Sequence, residues 1–499
     1  MVLIFCRMQD FCKNNSVDSV ANGLEFTRYV IEEGLDRPHG DWAGDVQGNN
    51  PRWVNDVFGT IGMSSQAVWY ENAGLGTLWG PRNVIYTSDR YCMEIAAGDL
   101  DNDGDIDAVS NHSSLDSLGT SFLAIHRNNG NGTFTTTTLP SLQTGIRQIR
   151  IVDINGDGLR DIVIACDAFY FDWQSGTGVY WYRNNGGMNF TQNYVGGRCN
   201  AWKVYCIDFN GDNHKEIVVT EAYWGENENL PCRVILFRNN GAESFTPQII
   251  DPNADPADGS AAGVICADFD KDGDIDIISG GLSNGEIYGY RNIGYPNFSK
   301  YTIDGDASEL DGIDMCDFDV DGDMDFVAAG RNYWIAWYEN LAPASPGNFY
   351  KHIFDTEWRY FDLPYTTYLD GDSCCDLIVS IDGYSNDGRF VVYLSPCSTA
   401  AVEEKEYTYG TNWMKVPTII SSDFAKIEYS IQDRGDIKLD VIDIAGRTLQ
   451  VIEQKYCNQP GVYRTVWNIN KKPNGIYFVR LKSNNISPIV RKVTVIRNR

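Results

Sequence analysis

Residues 268–276 run DFDKDGDID, acidic at every second position and broken once by glycine. The pattern recurs as DLDNDGDID from Asp99, DINGDGLRD from Asp153, DFNGDNHKE from Asp208 and DFDVDGDMD from Asp317. In chain order the five copies start 54, 55, 60 and 49 residues apart. A worn copy, YLDGDSCCD, begins at Tyr368, 51 residues further on. Another, DVQGNNPRW, begins at Asp45, 54 residues before Asp99. That makes seven copies of one unit.

A second element lies between them. It reads VWYEN at Val68, AIHRNNGNGTF at Ala124, VYWYRNNGGMNF at Val179 and VILFRNNGAESF at Val234. It continues as IYGYRNIGYPNF at Ile287, IAWYENLAPASPGNF at Ile335 and VVYL at Val391. These are short aromatic strands ending in Asn/Gly turns, and apolar runs such as IVIA follow the acidic stretches. A period near 50 with four short strands fits a propeller blade, and no 3.6-residue stripe supports a helical repeat. The expected fold is all-β: a seven-bladed β-propeller over residues 20–398, then a small β-sandwich. Residues 26–31, FTRYVI, match the strand that follows the turn in other blades but precede the first loop. The N-terminal strand is therefore expected to close the last blade. Residues 1–19 are left as an extension, in which a further strand would change the blade count.

The pattern D-x-[DN]-x-[DN]-G-x-x-[DE] sets oxygen ligands at alternate positions of a tight loop. Positions one, three and five converge, the carbonyl of position seven adds a ligand, and position nine closes the shell. This is calcium chemistry: a hard cation takes six to eight oxygens. Without a cation the carboxylates repel one another. The candidate sites are Asp99, Asp101, Asp103, Asp105 and Asp107; Asp153, Asn155, Asp157, Leu159 and Asp161; Asp208, Asn210, Asp212, His214 and Glu216; Asp268, Asp270, Asp272, Asp274 and Asp276; and Asp317, Asp319, Asp321, Asp323 and Asp325. About five structural Ca2+ ions are expected. An EF-hand would need flanking helices and a Glu at position 12, and magnesium would want a water-rich octahedron. The worn copies are left without a metal: Tyr368 replaces the first ligand, and Pro51 and Trp53 fall at positions seven and nine of the Asp45 copy.

Charge divides the chain in the same place. Of 40 Lys plus Arg and 68 Asp plus Glu, residues 401–499 hold 16 basic and 10 acidic side chains, a net of +6. The first 400 residues carry −34. Five calcium ions would offset ten of those charges. So acidic a surface excludes a nucleic-acid partner held by its phosphates. No run of about 18 apolar residues marks a transmembrane helix. Met1–Phe5 is too short a run for a signal-peptide core. Thirteen cysteines give no disulfide or zinc framework. Cys206, Cys266 and Cys316 read as small buried strand residues; Cys374 and Cys375, or Cys6 with Cys12, are left open to pairing.

Residues 399–415 read as a linker. Beyond it, AKIEYS, IKLDVIDI, VYRTVWNIN, GIYFVRL and RKVTVIR are alternating strands of a small immunoglobulin-like sandwich over 416–499.

The acidic loops followed by strands, with the WYRNNG turns, resemble the FG-GAP/VCBS repeat family and its integrin-alpha-like propellers. The resemblance implies structural calcium and ligand binding by loops on a propeller face. The C-terminal residues IEYSI, VIDIAGRTL, Gly461–Trp467, NGIYFVRL and KVTVI resemble the type IX secretion sorting domain. Its usual Pro-Asn-Pro is replaced near Val416-Pro417. That resemblance implies recognition by secretion machinery and a secreted or surface-anchored protein on the bacterial outer surface.

No GxSxG, HExxH or Walker pattern is present. Five histidines are scattered; His126 takes an aromatic strand slot and His214 lies in a loop. The expected function is a monomeric, non-catalytic adhesion module for an extracellular protein or carbohydrate. The alternative is a polysaccharide-active lyase or glycoside hydrolase on the same scaffold. Trp42, Trp53, Trp69, Trp181, Trp202, Trp334 and Trp337 read mainly as packing between blades. Trp173 and Trp224 stand in insertions where a ring could stack on a sugar or anchor a protein.

Overall fold

The computed structural model describes residues 26–395 apart from 49–53, 114–120, 141–144, 168–176, 198–200, 222–231, 255–260, 282–284, 308, 332–333, 342–347, 357–359 and 383–386. It also describes 414–495 apart from 416–418, 421–423, 432–433, 443–446, 458–460, 470–471, 474 and 484–485. Among the described residues every helix or strand assigned is a strand, and no helix is long and apolar enough to cross a membrane. The chain forms two compact units, Met1–Cys397 and Ser398–Arg499.

The first unit holds seven four-stranded antiparallel sheets. The third blade shows the plan: Gly145–Val152 lies innermost, followed outward by Asp161–Asp167, Gly178–Asn184 and Phe190–Gly196. Its second strand, DIVIACD, is buried along its whole length, because blades pack on both of its faces. The outermost strand is half exposed. The innermost strands of the seven blades begin at Pro38, Ile95, Gly145, Ala201, Ala261, Leu310 and Tyr360. Each lies beside the next, and the strand from Tyr360 returns to the one from Pro38, which closes an all-β propeller.

Closure joins the two ends of the unit. Thr27–Leu35 pairs antiparallel with Gly388–Leu394 as the outer strand of the seventh blade, Thr27 opposite Leu394 and Leu35 opposite Gly388. Phe26 is buried against Phe318 and Phe354 of the sixth blade. Residues 1–25, with any further strand, lie outside the described residues.

A polar staple ties neighbouring blades. At five junctions an asparagine at or just past the end of the third strand of one blade donates to a carbonyl in the loop of the preceding blade. Asn128 reaches Val46 (2.7 Å), Asn184 reaches Leu100 (2.7 Å), Asn239 reaches Ile154 (3.2 Å), Asn340 reaches Phe269 (2.8 Å) and Asn72 reaches Leu369 (2.7 Å). The same amides also donate within their own blade, as Asn184 does to Arg160 (2.9 Å). Buried carbonyls need such partners.

At the sixth-to-seventh junction Ser395 stands where this asparagine would be. There Cys316, closing the first strand of the sixth blade, is disulfide-bonded to Cys375 of the seventh, with Cα atoms 6.4 Å apart. Cys316 is thus not the simple buried strand residue that its offset suggested. Repeat position places it on its own strand, but only the ring brings that strand's end against the next blade's loop.

The second unit has a three-stranded and a five-stranded sheet. Tyr429, Trp467, Leu439, Val479 and Val493 are among its core residues. Asp440, fully buried, forms a bidentate pair with Arg480 at 2.9 and 2.8 Å and accepts from Thr448. Met414–Lys415, at the end of the stretch read as linker, pairs with Glu428 and Tyr429 as an edge strand.

Candidate functional sites

Each acidic loop joins the first and second strands of a blade and follows one backbone path. Positions four and six are left-handed in all five loops. Position four holds Asn102 (φ 60°), Gly156 (72°), Gly211 (74°), Lys271 (56°) and Val320 (60°). Position six holds Gly104, Gly158, Asn213, Gly273 and Gly322, at φ from 70° to 94°. That is why glycine recurs there and why Asn213 can replace it. Val320 is the misfit, a β-branched side chain at positive φ, 55% exposed. Val320→Asn should raise stability by about 1 kcal/mol in urea unfolding, since Asn102 already holds that position in the second blade.

The path aims acidic oxygens inward. The position-one carboxylate accepts the amide of position six: Gly104 to Asp99 (3.1 Å), Gly158 to Asp153 (2.9 Å), Asn213 to Asp208 (2.8 Å), Gly273 to Asp268 (2.9 Å) and Gly322 to Asp317 (3.0 Å). Position five accepts from position seven, as in Leu159 to Asp157 (2.9 Å) and His214 to Asp212 (2.8 Å). The result is three carboxylate triads: Asp99, Asp101 and Asp107; Asp268, Asp270 and Asp276; Asp317, Asp319 and Asp325. Within each, one oxygen per residue lies within 4.8 Å of the others. Asp103, Asp272 and Asp321 are outside these triads and accept the position-seven amides of Asp105, Asp274 and Asp323 (3.0, 3.0 and 3.1 Å). Asn155 and Asn210 take the third position of the remaining two loops, so those lack a carboxylate triad. Asp99 Oδ1, Asp101 Oδ1, Glu216 Oε1 and Asp323 Oδ1 are buried without a hydrogen-bond donor. Converging, all-oxygen and partly unsatisfied donor sets of this kind fit a hard divalent cation.

Electrostatics point the same way. Burial, and then the charges of neighbouring aspartates, push Asp107 and Asp276 up to about 7 and Asp325 up to about 9. Arginines at the ends of the third strands lean in: Arg127 lies 2.6 Å from Asp101, and Arg291 lies 2.5 Å from Asp270. The sixth blade has Glu339 in that slot, and there burial followed by the charges of Asp321, Glu339 and Asp317 pushes Asp319 up to about 7.

Position nine has a second task that the repeat pattern does not reveal. Asp161 accepts the amides of Ile154 (3.1 Å) and Asn184 (2.7 Å), clamping the loop to the third strand. Asp107, Asp276, Asp325 and Asp376 repeat the clamp. In the first blade the clamp is Asp56, which accepts from Val46 (2.9 Å) and Asn72 (2.8 Å). This corrects the register of the Asp45 copy: its ninth position is Asp56, not Trp53, and its loop is longer by three residues. The aligned spacing hid this, because the clamp is defined by its two amides and not by its distance from Asp45.

The histidines and tryptophans are partly explained. His126 is a core residue bonded to Ser110 (2.7 Å) and Thr136 (2.9 Å). Trp181 and Trp337 are buried packing residues, and Trp42 stacks on Tyr365. Trp53, Trp173 and Trp224 lie outside the described residues.

The fold and its loops define a class, the β-propeller built from repeats with acidic loops between first and second strands. Family comparison agrees: residues 54–110, 114–164 and 268–328 match the FG-GAP-like repeat, and residues 421–496 match the secretion system C-terminal sorting domain. The chain therefore carries FG-GAP-like repeats and a secretion sorting domain. No curated protein matches it. Among solved structures it is similar to BBS1N in complex with ARL6DN, at 12% identity and a TM-score of 0.49, over 76% of this chain and 98% of that one. It is also similar to the extracellular domain of a hybrid two component system from B. thetaiotaomicron, at 11% identity and a TM-score of 0.43, over 95% of this chain and 58% of that one.

Proposed function

We propose that the chain is an exported, calcium-stabilised propeller that acts as a non-catalytic binding module for an extracellular protein or carbohydrate, with its C-terminal unit serving as the address read by secretion machinery. The observation that carries the reading is the convergence of the acidic oxygens on a repeated, left-handed loop in a chain that also bears a sorting domain. The five loops named from the sequence are the proposed calcium sites, with Asn155 and Asn210 supplying side-chain oxygens in two of them. Supporting it, the Cys316–Cys375 disulfide suits an oxidising compartment outside the cytoplasm. Calorimetric titration of the full chain with calcium tests the first half: about five ions per chain are expected, and no heat above dilution would sink it. Export is tested by fusing residues 416–499 to a reporter in a bacterium with the cognate machinery. A reporter retained inside the cell refutes the address.

A further inference from the structure

The innermost strands of the propeller wall two cavities of about 400 and 340 Å³. Both fall in the range of roughly 300–1,000 Å³ that small-molecule sites occupy. They share Glu94, Lys203 and Leu363, so these residues stand between the two. None belongs to the acidic loops.

The larger cavity is rich in charge, but most of its strong charges are already matched. His39 pairs with Asp362 and lies 3.1 Å from the Tyr91 hydroxyl. Arg331 pairs with Asp311 at 2.9 Å. Arg147 is held by Asp167 at 2.5 Å and lies over the Trp202 ring, 4.2 Å from its centroid. What remains is hydrogen-bonding capacity. Glu94 and Lys203 are 6% and 8% exposed and feel each other's opposite charge, and among the described residues no side-chain hydrogen bond joins either of them to a neighbour. Asp41, 6% exposed on the wall of the smaller cavity, accepts the Ser380 amide (2.7 Å) with one oxygen and has no donor for the other. Asp382 likewise keeps one buried oxygen without a donor.

Carboxylate oxygens without a donor, beside a lysine ammonium that lines the same cavity, suit a ligand that both donates and accepts. A hydroxyl donates one hydrogen bond and accepts two. A ligand bearing several hydroxyls and no net charge can donate to Glu94 and Asp382, accept from Lys203, and leave the existing ion pairs intact. A charged ligand would have to compete with those pairs. Tyr360 and Leu363 line the same cavity and offer apolar surface to a ring face.

We propose that this cavity is a carbohydrate site, taking one neutral sugar residue against Glu94, Lys203 and Asp382. Burial, which pushes Glu94 up to about 7 and lowers Lys203, agrees with two polar groups held ready away from water. The proposal rests on the reading of the chain as a binding module, narrows its ligand to sugar, and does not depend on calcium.

The test uses the full chain in calcium buffer. Glucose, galactose, mannose, fucose and N-acetylglucosamine are titrated by calorimetry and saturation-transfer NMR, with glycine and acetate as charged probes. One neutral sugar should bind saturably at one per chain. Glu94→Gln and Lys203→Met should each weaken it by roughly tenfold or more, as loss of a hydrogen bond to a charged group entails. Calcium-dependent melting should be unchanged in both. Asp382→Asn, at a half-buried position, gives the same readout if the two buried variants fail to fold. The site is overturned if no sugar saturates, if glycine or acetate binds as tightly, or if a sugar binds with equal affinity in all folded variants. That last result would leave the binding-module reading standing, with its ligand elsewhere.

Discussion

Chelating calcium should lower the melting temperature of the propeller by about 10 to 20 °C, and adding magnesium in its place should not restore it. This is the largest effect expected. At a free ion concentration a hundredfold above its dissociation constant, one site adds about 2.7 kcal/mol to the folded state. Five sites together contribute on the order of 10 kcal/mol. A domain of some 150 to 250 residues moves about 2 to 4 °C per kcal/mol, and a unit of this size somewhat less. Opposing the ion-free state are the carboxylates that crowd within 4.8 Å in three loops. The sixth blade should dominate the response. Its loop has Glu339 where Arg127 and Arg291 help to neutralise two others, so Asp319→Asn should remove more of the calcium shift than Asp101→Asn. Differential scanning fluorimetry with and without EGTA measures this. Melting that ignores calcium would refute the structural role of the ion.

The second large effect needs no metal. Asp56→Ala should destabilise the propeller by about 2 to 6 kcal/mol, since it leaves two buried amides without an acceptor at about 1 to 3 kcal/mol each. Asp56 is 1% exposed, and its two oxygens hold Val46 at 2.9 Å and Asn72 at 2.8 Å. Asn72 in turn carries the staple to Leu369 of the seventh blade, so the loss falls on the junction that closes the ring. Asp56→Asn retains one acceptor oxygen and should cost distinctly less. Urea unfolding of both variants decides it. Because the first-blade loop is not one of the proposed calcium sites, the deficit should be equal with calcium and with EGTA. A deficit that calcium abolishes would mean that Asp56 acts as a ligand and not as a clamp.

The comparison of sequence with structure turns on which features are local. The loop ligands, the glycine at position six and the aromatic strands are read from single copies, because each depends on the conformation of a few neighbouring residues. Asn213 at φ 70° shows how tightly that local rule holds even where glycine is absent. The FTRYVI strand was legible for a different reason: the last copy lacked its fourth strand, and an open blade edge must be paired.

What stayed hidden involves partners from different blades. The asparagine of RNN looks like a turn residue, yet its amide reaches into the loop of the preceding blade, some 84 residues away for Asn184 and Leu100. Cys316 and Cys375 are 59 residues apart and meet only because two blades are adjacent. Glu94, Lys203 and Asp382 carry no motif at all, and they share one cavity because blades far apart in sequence meet around one axis. The sequence by itself determined the repeat, the backbone path of the acidic loops and the need for closure, since those follow from short-range sterics and the strand count. Only the tertiary structure decided the clamp at Asp56, the staples and the central cavity, because each is made by groups whose proximity depends on completing the ring.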